Sequence, residues 1–270
     1  MTSGRSGVRA LSRGRQIVFW LVLVSPVVLV GASLLVGSSG RGLGDVIGAI
    51  QAWFAGEATE STMIVLNIRL PRILGGLFVG AALAVSGATL QGVLRNPLVD
   101  PYILGISSGA AFGAALSIIA LPALPLQLAA FAFGLAAFAL SYGMALSNRA
   151  VSIVSLVLAG VVTGSVFTAL LSILQIMATE RSLQSVVLWI MGSLNGFTWS
   201  GLRAIWLPIL VGVTIVWLLR WRLNVLALGD REAAAVGLPV ERYRFIFVLL
   251  AALIAAVAVS VAGVVALLGL

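Results

Sequence analysis

Carboxylates and guanidinium groups are the side chains of this sequence that could carry chemistry, and two polar segments hold half of the eight carboxylates. These segments are residues 94–101 (LRNPLVDP) and 227–244 (ALGDREAAAVGLPVERYR). There is no Cys and no His, which excludes thiolate chemistry, imidazole catalysis and the usual zinc, copper and haem ligands. All 16 basic residues are Arg, so the Lys of a G-x-x-x-x-G-K-[ST] phosphate loop is missing. Any ATP that drives this protein must therefore bind to another polypeptide.

The composition predicts the kind of element that positions these two segments. Of 270 residues, 61% are hydrophobic and only 9% are charged, and the mean hydropathy is +1.18. Soluble domains carry about 25% charged residues, so this chain cannot cover a water-facing surface. It is predicted to be an integral membrane protein. The net charge of +8 then favours arginine-rich cytoplasmic loops over nucleic-acid binding.

Seven apolar stretches are long enough to approach the roughly 20 residues that a membrane-spanning helix needs. They are Ile17–Val36, Ile64–Val93, Ile103–Leu121, Leu124–Leu146, Ser152–Met177, Leu202–Leu219 and Phe245–Leu268. The first is too long for a signal-peptide core and lacks a clear cleavage site, so we expect it to stay as a span. The sequence thus predicts an all-α polytopic membrane protein with seven visible spans.

The arginines predict the orientation of these spans, because cytoplasmic loops collect basic residues. With the N-terminus in the cytoplasm, eleven arginines lie in inside segments and five in outside segments. The inside arginines are Arg5, Arg9, Arg13, Arg15, Arg95, Arg149, Arg220, Arg222, Arg231, Arg242 and Arg244, and the outside ones are Arg41, Arg69, Arg72, Arg181 and Arg203. Both polar segments are therefore predicted to be cytoplasmic.

No Asp or Glu falls well inside a predicted span, where ion-coupled carriers usually keep an ionisable residue. An ion-coupled carrier or channel is thus disfavoured but stays the alternative, and a membrane-embedded enzyme has too few acid–base groups. Three spans carry small residues at every fourth position, which favours close helix packing. The stripe in the fifth span ends in the hydroxyl residues Thr168 and Ser172, so it could also line a polar path.

The segment LRNPLVDP is predicted to be a tight turn built by Asn96, Pro97, Asp100 and Pro101. Asp100 is a good N-cap for the next helix, and Pro101 fits the first helical position. In the second segment, Asp230 is predicted to cap a short helix over residues 231–236 that Gly237 ends in the left-handed conformation. A two-turn helix is marginal alone, so its Ala face should dock either on the protein's own bundle or on a partner.

Three blocks resemble the FecCD family of permease subunits, which belong to bacterial ABC importers for ferric siderophores, haem and cobalamin. They are residues 67–110 (NIRLPRILGG through ISSGA), residues 189–201 (WIMGSLNGFTWSG) and the segment around LALGDREAAAVGLPVERYR. The resemblance runs from about the first span to Leu270. It implies a non-enzymatic transport subunit of the inner membrane with a ten-helix permease fold, acting as a homodimer. It also implies two cytoplasmic ATPase subunits, which would hold ATP and Mg, and a periplasmic substrate-binding protein.

The resemblance assigns roles to particular residues. It places the ATPase-coupling segment within 227–244, at Leu228, Gly229, Asp230, Arg231, Glu232, Ala233, Ala234 and Gly237. It implies that Arg69 and Arg72 dock the binding protein, although both could simply anchor their helix at the interface. It implies a translocation path along Ser152, Gly160, Thr163, Gly164 and Thr168.

Two further expectations follow from the resemblance. Members of the family usually continue beyond VAGVVALLGL, so we expect the single permease domain of residues 1–270 to be truncated at its C-terminus. A ferric siderophore is the expected cargo, ahead of haem and cobalamin. No metal and no cofactor is expected on this chain itself.

Overall fold

The structure, a computed structural model, describes residues 3–35, 43–57, 59–147 and 150–265. Its chain divides into two compact units, residues 1–77 and 78–270, which are described separately. The helices are α1 (Ser3–Leu35), α2 (Leu43–Phe54), α3 (Glu60–Thr62), α4 (Leu70–Leu94), α5 (Ile106–Ile119), α6 (Leu126–Ala145), α7 (Ile153–Ile176), α8 (Glu180–Ile190), α9 (Trp199–Leu228), α10 (Asp230–Ala235) and α11 (Val240–Ala262). A π-helix (Met63–Arg69), a 3₁₀ turn (Pro101–Leu104) and the paired strands β1 (Leu146–Ser147) and β2 (Ala150–Val151) complete the described elements.

The first unit holds α1, α2, α3, the π-helix and the first residues of α4. The large apolar side chains of α1 from Ile17 to Leu29 are exposed within this unit, as expected for a helix that faces lipid, and Trp20 is one of them. In α2, Val46 and Ala49 pack against Val65 of the π-helix. The unit therefore has its own small apolar cluster.

The π-helix of the first unit is explained by Pro71. A proline inside an α-helix lacks an N–H group, and its ring clashes with the carbonyl four residues earlier. Just before Pro71, the backbone N–H of Leu70 donates to the carbonyl of Val65, five residues back. This wider register continues directly into α4, so residues 60–94 form one apolar helix of 35 residues that contains the predicted second span.

In the second unit the small-residue stripes bring helices into close contact. A Cβ added at Gly113 of α5 would lie 2.8 Å from the carbonyl carbon of Ala129 in α6. One added at Gly160 of α7 would lie 3.0 Å from the carbonyl carbon of Ile103. These approaches are possible only without a side chain. In contrast, Gly80 of α4 has no atom within 4 Å of such a Cβ.

The third predicted span, Ile103–Leu121, differs from the observed helix. Helix α5 has 14 residues, about 21 Å, which cannot cross a 30 Å hydrocarbon core alone. The chain before it is a 3₁₀ turn that ends at Gly105, whose φ of +76° is left-handed. Non-helical backbone is tolerated at depth when protein covers it. Here the buried Ser141 hydroxyl donates to the carbonyl of Leu104 at 3.0 Å.

Six described helices are long and apolar enough to span a membrane. They are Gln16–Leu34, Glu60–Leu94, Leu126–Ala145, Ile153–Ile176, Trp199–Leu228 and Val240–Ala262. Each overlaps one predicted span, and the short α5 accounts for the remaining prediction. Val36 and residues 266–268 of the predicted first and last spans lie outside the described residues. The prediction of an all-α polytopic membrane protein is confirmed.

Candidate functional site

One end of the second unit carries most of its described arginines. The C-termini of α4 and α9 meet there, since a Cβ at Gly92 would lie 3.2 Å from Leu223. The rings of Tyr142 in α6 and Phe245 in α11 lie 5.1 Å apart at the same end. The arginines at this end are Arg95, Arg220, Arg222, Arg231, Arg242 and Arg244, whereas Arg181 and Arg203 lie at the other end. The positive-inside rule assigns the arginine-rich end to the cytoplasm.

The two polar segments of the sequence meet at this end through Asp230. The guanidinium of Arg244 donates from Nη2 to Asp230 Oδ2 at 2.7 Å and from Nη1 to Glu241 Oε1 at 2.6 Å. On the other side, Arg95 Nη2 lies 3.3 Å from Asp230 Oδ1. We call these four residues, Arg95, Asp230, Glu241 and Arg244, the Asp230 cluster. It joins the end of α4, the start of α10 and the start of α11.

Burial differs sharply within the Asp230 cluster. The side chain of Arg244 is 4% exposed, whereas those of Asp230 and Glu241 are 48% and 43% exposed. A guanidinium stays charged in proteins, and taking a charge out of water is costly unless it is paired and hydrogen-bonded. Two carboxylates that remain half in water compensate Arg244 while keeping part of their own hydration. The cluster is therefore organised around one buried cation.

Arg95 reaches Asp230 from an unusual backbone conformation. Its φ of +51° makes it the only described non-glycine residue with a positive φ. It follows the last residue of α4, and the N–H of Asn96 donates to the carbonyl of Gln91 at 3.2 Å, as in a Schellman helix end. An L-residue in the left-handed region costs about 1–2 kcal/mol. A glycine would form this helix end without that cost, but it could not pair with Asp230.

The rest of the LRNPLVDP turn is held by its own side chains. The N–H of Leu98 donates to Asn96 Oδ1 at 3.0 Å, and the N–H of Tyr102 donates to Asp100 Oδ1 at 2.8 Å. Asp100 is thus an N-cap with a proline directly after it, as predicted. The element that it caps is the 3₁₀ turn rather than α5 itself. Because Pro97 is exposed, this turn has an open surface next to the Asp230 cluster.

Helix α10 begins one residue earlier than predicted. Its N-cap is Gly229, and no side chain caps it, so the prediction that Asp230 caps the helix is wrong. The carboxylate of Asp230 instead pairs with Arg244 and Arg95, which are stronger partners than backbone N–H groups. At the other end Gly237 is left-handed, with a φ of +78°, as predicted. The N–H of Leu238 donates to the carbonyl of Ala233 at 3.0 Å and completes a Schellman motif.

The two faces of α10 have different surroundings. Of the three alanines predicted to dock, only Ala233 is buried on the protein's own bundle, whereas Ala234 and Ala235 are exposed. Arg231, Glu232 and Ala234 are exposed, and the flanking side chains of Leu228 and Val236 are 73% and 70% exposed. The outward face of α10 thus carries charges of both signs and an apolar rim.

The arginines predicted to dock a binding protein lie in the first unit. Arg69 is 9% exposed and donates from Nη1 to the carbonyl of Leu34 at 2.8 Å. This bond links the π-helix to the last turn of α1. Arg72, one turn further along in α4, is partly exposed. Their docking role stays a prediction, and the bond to Leu34 fits the alternative of interfacial anchoring.

The residues predicted to line the path differ in burial along α7. Ser152 is its N-cap and accepts from the N–H of Ser155 at 3.0 Å. Gly160 packs against Ile103, and Thr163 is 3% exposed. Thr168 is exposed and donates to the carbonyl of Gly164 at 2.8 Å. A path role stays a prediction for all five residues, since Gly160 and Thr163 also serve helix packing.

Sequence reasoning missed Arg95, Glu241 and Arg244 as partners of Asp230. The spacing of Glu241 and Arg244, three residues apart at the start of a helix, is a signal for a local ion pair. No sequence pattern indicates that Asp230 joins them, because this contact depends on how α10 lies between α4 and α11. Among the described residues there is no group of His, Cys, Asp or Glu placed to hold a metal ion.

Comparison with known proteins agrees with this arrangement of helices. Residues 23–270 match the FecCD transport family. The hemin transport system permease protein of Yersinia pestis is 39% identical over 212 residues, which are 76% of this chain and 63% of the relative. The molybdate import system permease protein of Haemophilus influenzae is 38% identical over 211 residues, 77% of this chain and 62% of the relative. The chain thus spans less than two thirds of the length of these curated relatives.

A solved structure, described as a metal-chelate type ABC transporter in an inward-facing conformation, is also similar. The TM-score is 0.80 and the identity is 32%, over 94% of this chain and 78% of the other. The family match over residues 23–270 includes both polar segments. The chain is a multi-pass protein of the bacterial inner membrane, and it belongs to the FecCD transport family.

Proposed function

We propose that this chain is the membrane-spanning permease subunit of an ATP-driven importer that moves cargo from the periplasm to the cytoplasm. The observation that carries the proposal is the family match over residues 23–270. The names of two relatives point the same way, since both are permeases of transport systems. The chain itself forms and breaks no covalent bond, and ATP and Mg belong to a partner ATPase.

The exposed face of α10 is the proposed contact with that ATPase. A short helix with an exposed apolar rim can insert into a cleft of a partner, where burial of Leu228 and Val236 would stabilise the complex. Arg231 and Glu232 supply charges of both signs on the same face, which can set the orientation of the contact. Movement of the ATPase subunits would then push directly on α10.

The remaining partners follow from the family. Two copies of the permease would form a homodimer with the path between them, and α7 would contribute its exposed hydroxyl residues to that path. A periplasmic binding protein would deliver the cargo. If Arg69 takes part in this docking, its guanidinium, which is buried and donates to the Leu34 carbonyl, must become accessible to a carboxylate of the binding protein.

An iron chelate is the proposed cargo, with a ferric siderophore ahead of haem and cobalamin. The named cargoes of the relatives include hemin and molybdate, and the similar solved structure is described as a metal-chelate type. The described residues form no metal site of their own. A wide path that passes an intact chelate needs no such site, because the metal stays within its chelator.

Co-purification tests the function. A tagged copy would be solubilised gently from native membranes and its partners identified by mass spectrometry, beside a variant in which Asp230 and Glu232 are both replaced by Ala. We expect an ATPase subunit with the unmodified protein and none with the double variant. Recovery of the folded permease without any ATPase would favour the alternative, an ion-coupled carrier or channel.

A second pair of variants separates contact from folding. Val236→Glu adds charge to the rim of α10 without touching Asp230, and Met191→Glu adds the same charge at the other end of the unit. The two side chains are equally exposed, at 70% and 71%. We expect Val236→Glu to lose the ATPase and Met191→Glu to keep it. Equal recovery with both variants would rule out α10 as the contact.

A further inference from the structure

Helix α10 needs an anchor to keep a defined position. A helix of six residues is not stable alone in water, because few of its backbone hydrogen bonds are internal. Only one side chain of α10, that of Ala233, is fully buried, and a methyl group adds little apolar contact. Besides its backbone connections to α9 and α11, the described polar contacts that hold this helix are the Schellman end at Gly237 and the ion pairs of Asp230.

The ion pairs of Asp230 reach two different helices. Arg244 belongs to α11 and uses its second nitrogen to hold Glu241, which fixes the guanidinium plane before it meets Asp230. Arg95 belongs to the end of α4 and approaches the other oxygen of the same carboxylate. One carboxylate is thus held from both sides. Gly229, directly before it, is buried, and a Cβ there would lie 3.5 Å from Arg95 Nη1.

We propose that Arg244 and Arg95 are positioning residues that clamp Asp230, so that α10 moves together with α4 and α11 rather than independently. Arg244 is the main arm, because it is buried and its bond to Asp230 is short, and Arg95 is the second arm. The consequence of the clamp rests on the proposed function: movement of α10 by the ATPase would be transmitted to α4 and α11 at once. The clamp itself can be tested without any partner.

Site-directed spin labelling tests the clamp directly, and the absence of cysteine from the sequence makes every introduced thiol unique. A nitroxide on Val236→Cys, at an exposed position beside α10, reports local mobility in purified protein. We expect Arg244→Met to raise the mobile fraction of the spectrum at least twofold. Asp230→Asn, which keeps the shape of the side chain, should also raise the mobile fraction. This second variant keeps the proposal testable if Arg244→Met does not fold.

Controls distinguish a local clamp from general loosening. Arg242→Met removes an exposed arginine from the same helix turn and should leave the spectrum unchanged. A label on Met191→Cys, at the other end of the unit, should not respond to Arg244→Met. The Asp230→Asn and Arg244→Met double variant should be no more mobile than the Asp230→Asn single variant, because replacement of Asp230 already removes both arms of the clamp. Additive effects, or an equal response to Arg242→Met, would overturn the proposal.

Cargo-stimulated ATP hydrolysis tests the consequence in the reconstituted complex. We expect Arg244→Met to lower the ratio of stimulated to basal hydrolysis severalfold, while Arg242→Met keeps the ratio of the unmodified protein. An unchanged ratio in Arg244→Met would contradict transmission through the clamp. If the unmodified protein binds no ATPase at all, the proposed function fails, and the spin-label spectra still decide whether the clamp exists.

Discussion

Gly229, the N-cap of α10, is the glycine whose replacement should have the largest effect on that helix. Its φ of +142° and ψ of +159° lie in a region that only glycine populates readily. An alanine there costs on the order of 1–3 kcal/mol in backbone strain. A Cβ at this position would also meet the carboxylate of Glu232, but that side chain is flexible and can move away. The backbone strain at residue 229 therefore determines how much Gly229→Ala destabilises the docked position of α10.

The strain predicts how often α10 leaves its position. If the docked conformation alone requires the glycine geometry, Gly229→Ala shifts the equilibrium between docked and released α10 by about 5- to 150-fold, since 1.4 kcal/mol is tenfold. Gly237→Ala, at a left-handed residue with open space around it, should shift it by less, because that strain is about 1–2 kcal/mol. Gly143→Ala, in α6 with no atom nearby, should have no effect on α10.

Trypsin cleavage after Arg231 measures this equilibrium, because Arg231 lies inside α10. A protease cuts the released conformation, and its rate follows the population of that conformation when opening and closing are fast. We expect cleavage at Arg231 to rise in the order Gly143→Ala, Gly237→Ala, Gly229→Ala. Cleavage after Arg181 in α8 serves as the internal reference. Equal cleavage at Arg231 in Gly229→Ala and Gly143→Ala would refute the assignment of α10 as a helix held by strained glycine geometry.

Two further substitutions test how the second unit packs. Gly113→Ala would place a Cβ 2.8 Å from the carbonyl carbon of Ala129. Relief of this overlap should cost about 1–3 kcal/mol of stability. The apparent Tm in detergent should therefore fall by several degrees relative to that of Gly143→Ala. Ser141→Ala should remove the hydrogen bond to the buried carbonyl of Leu104 and cost about 1–3 kcal/mol of stability. The hydroxyl of Ser165 is exposed, so Ser165→Ala should leave the Tm nearly unchanged in the same assay. An unchanged Tm for Gly113→Ala or Ser141→Ala would contradict the contact concerned.

The length of each apolar run was sufficient to predict most of the fold. A helix is the only single-segment structure that satisfies its backbone in lipid, so an apolar run of sufficient length specifies a spanning helix. The exception is instructive. The apolar run Ile103–Leu121 predicts a span, but the turn capped by Asp100 and the left-handed Gly105 precede the helix, so α5 begins only at Ile106. The hydroxyl that satisfies Leu104 comes from Ser141, far along the sequence, so no local pattern could reveal this short helix.

The candidate site was predictable only in part, for a related reason. Turn and cap residues act over a few positions, which is why Asp100 and Gly237 were assigned correctly from sequence. Asp230 was assigned to the same kind of local cap, but in the structure two charged partners from other elements compete for its carboxylate. A charge-assisted hydrogen bond outweighs a neutral one. The identity of those partners depends on tertiary packing, which composition and spacing do not encode.

The placement of the contacts around α10 connects this packing to transport. Its anchors are Ala233, the Asp230 ion pairs and the turn at Gly237, and they leave Leu228, Arg231, Glu232 and Val236 exposed. A helix with so little stability of its own would dissipate a push by unfolding if it were bound only to a partner. A helix bound only to its own bundle would have no face to receive the push. Because α10 is held on one side and open on the other, a force applied at the open side in the proposed importer would reach α9 through the backbone at Gly229, α11 through Arg244 and α4 through Arg95.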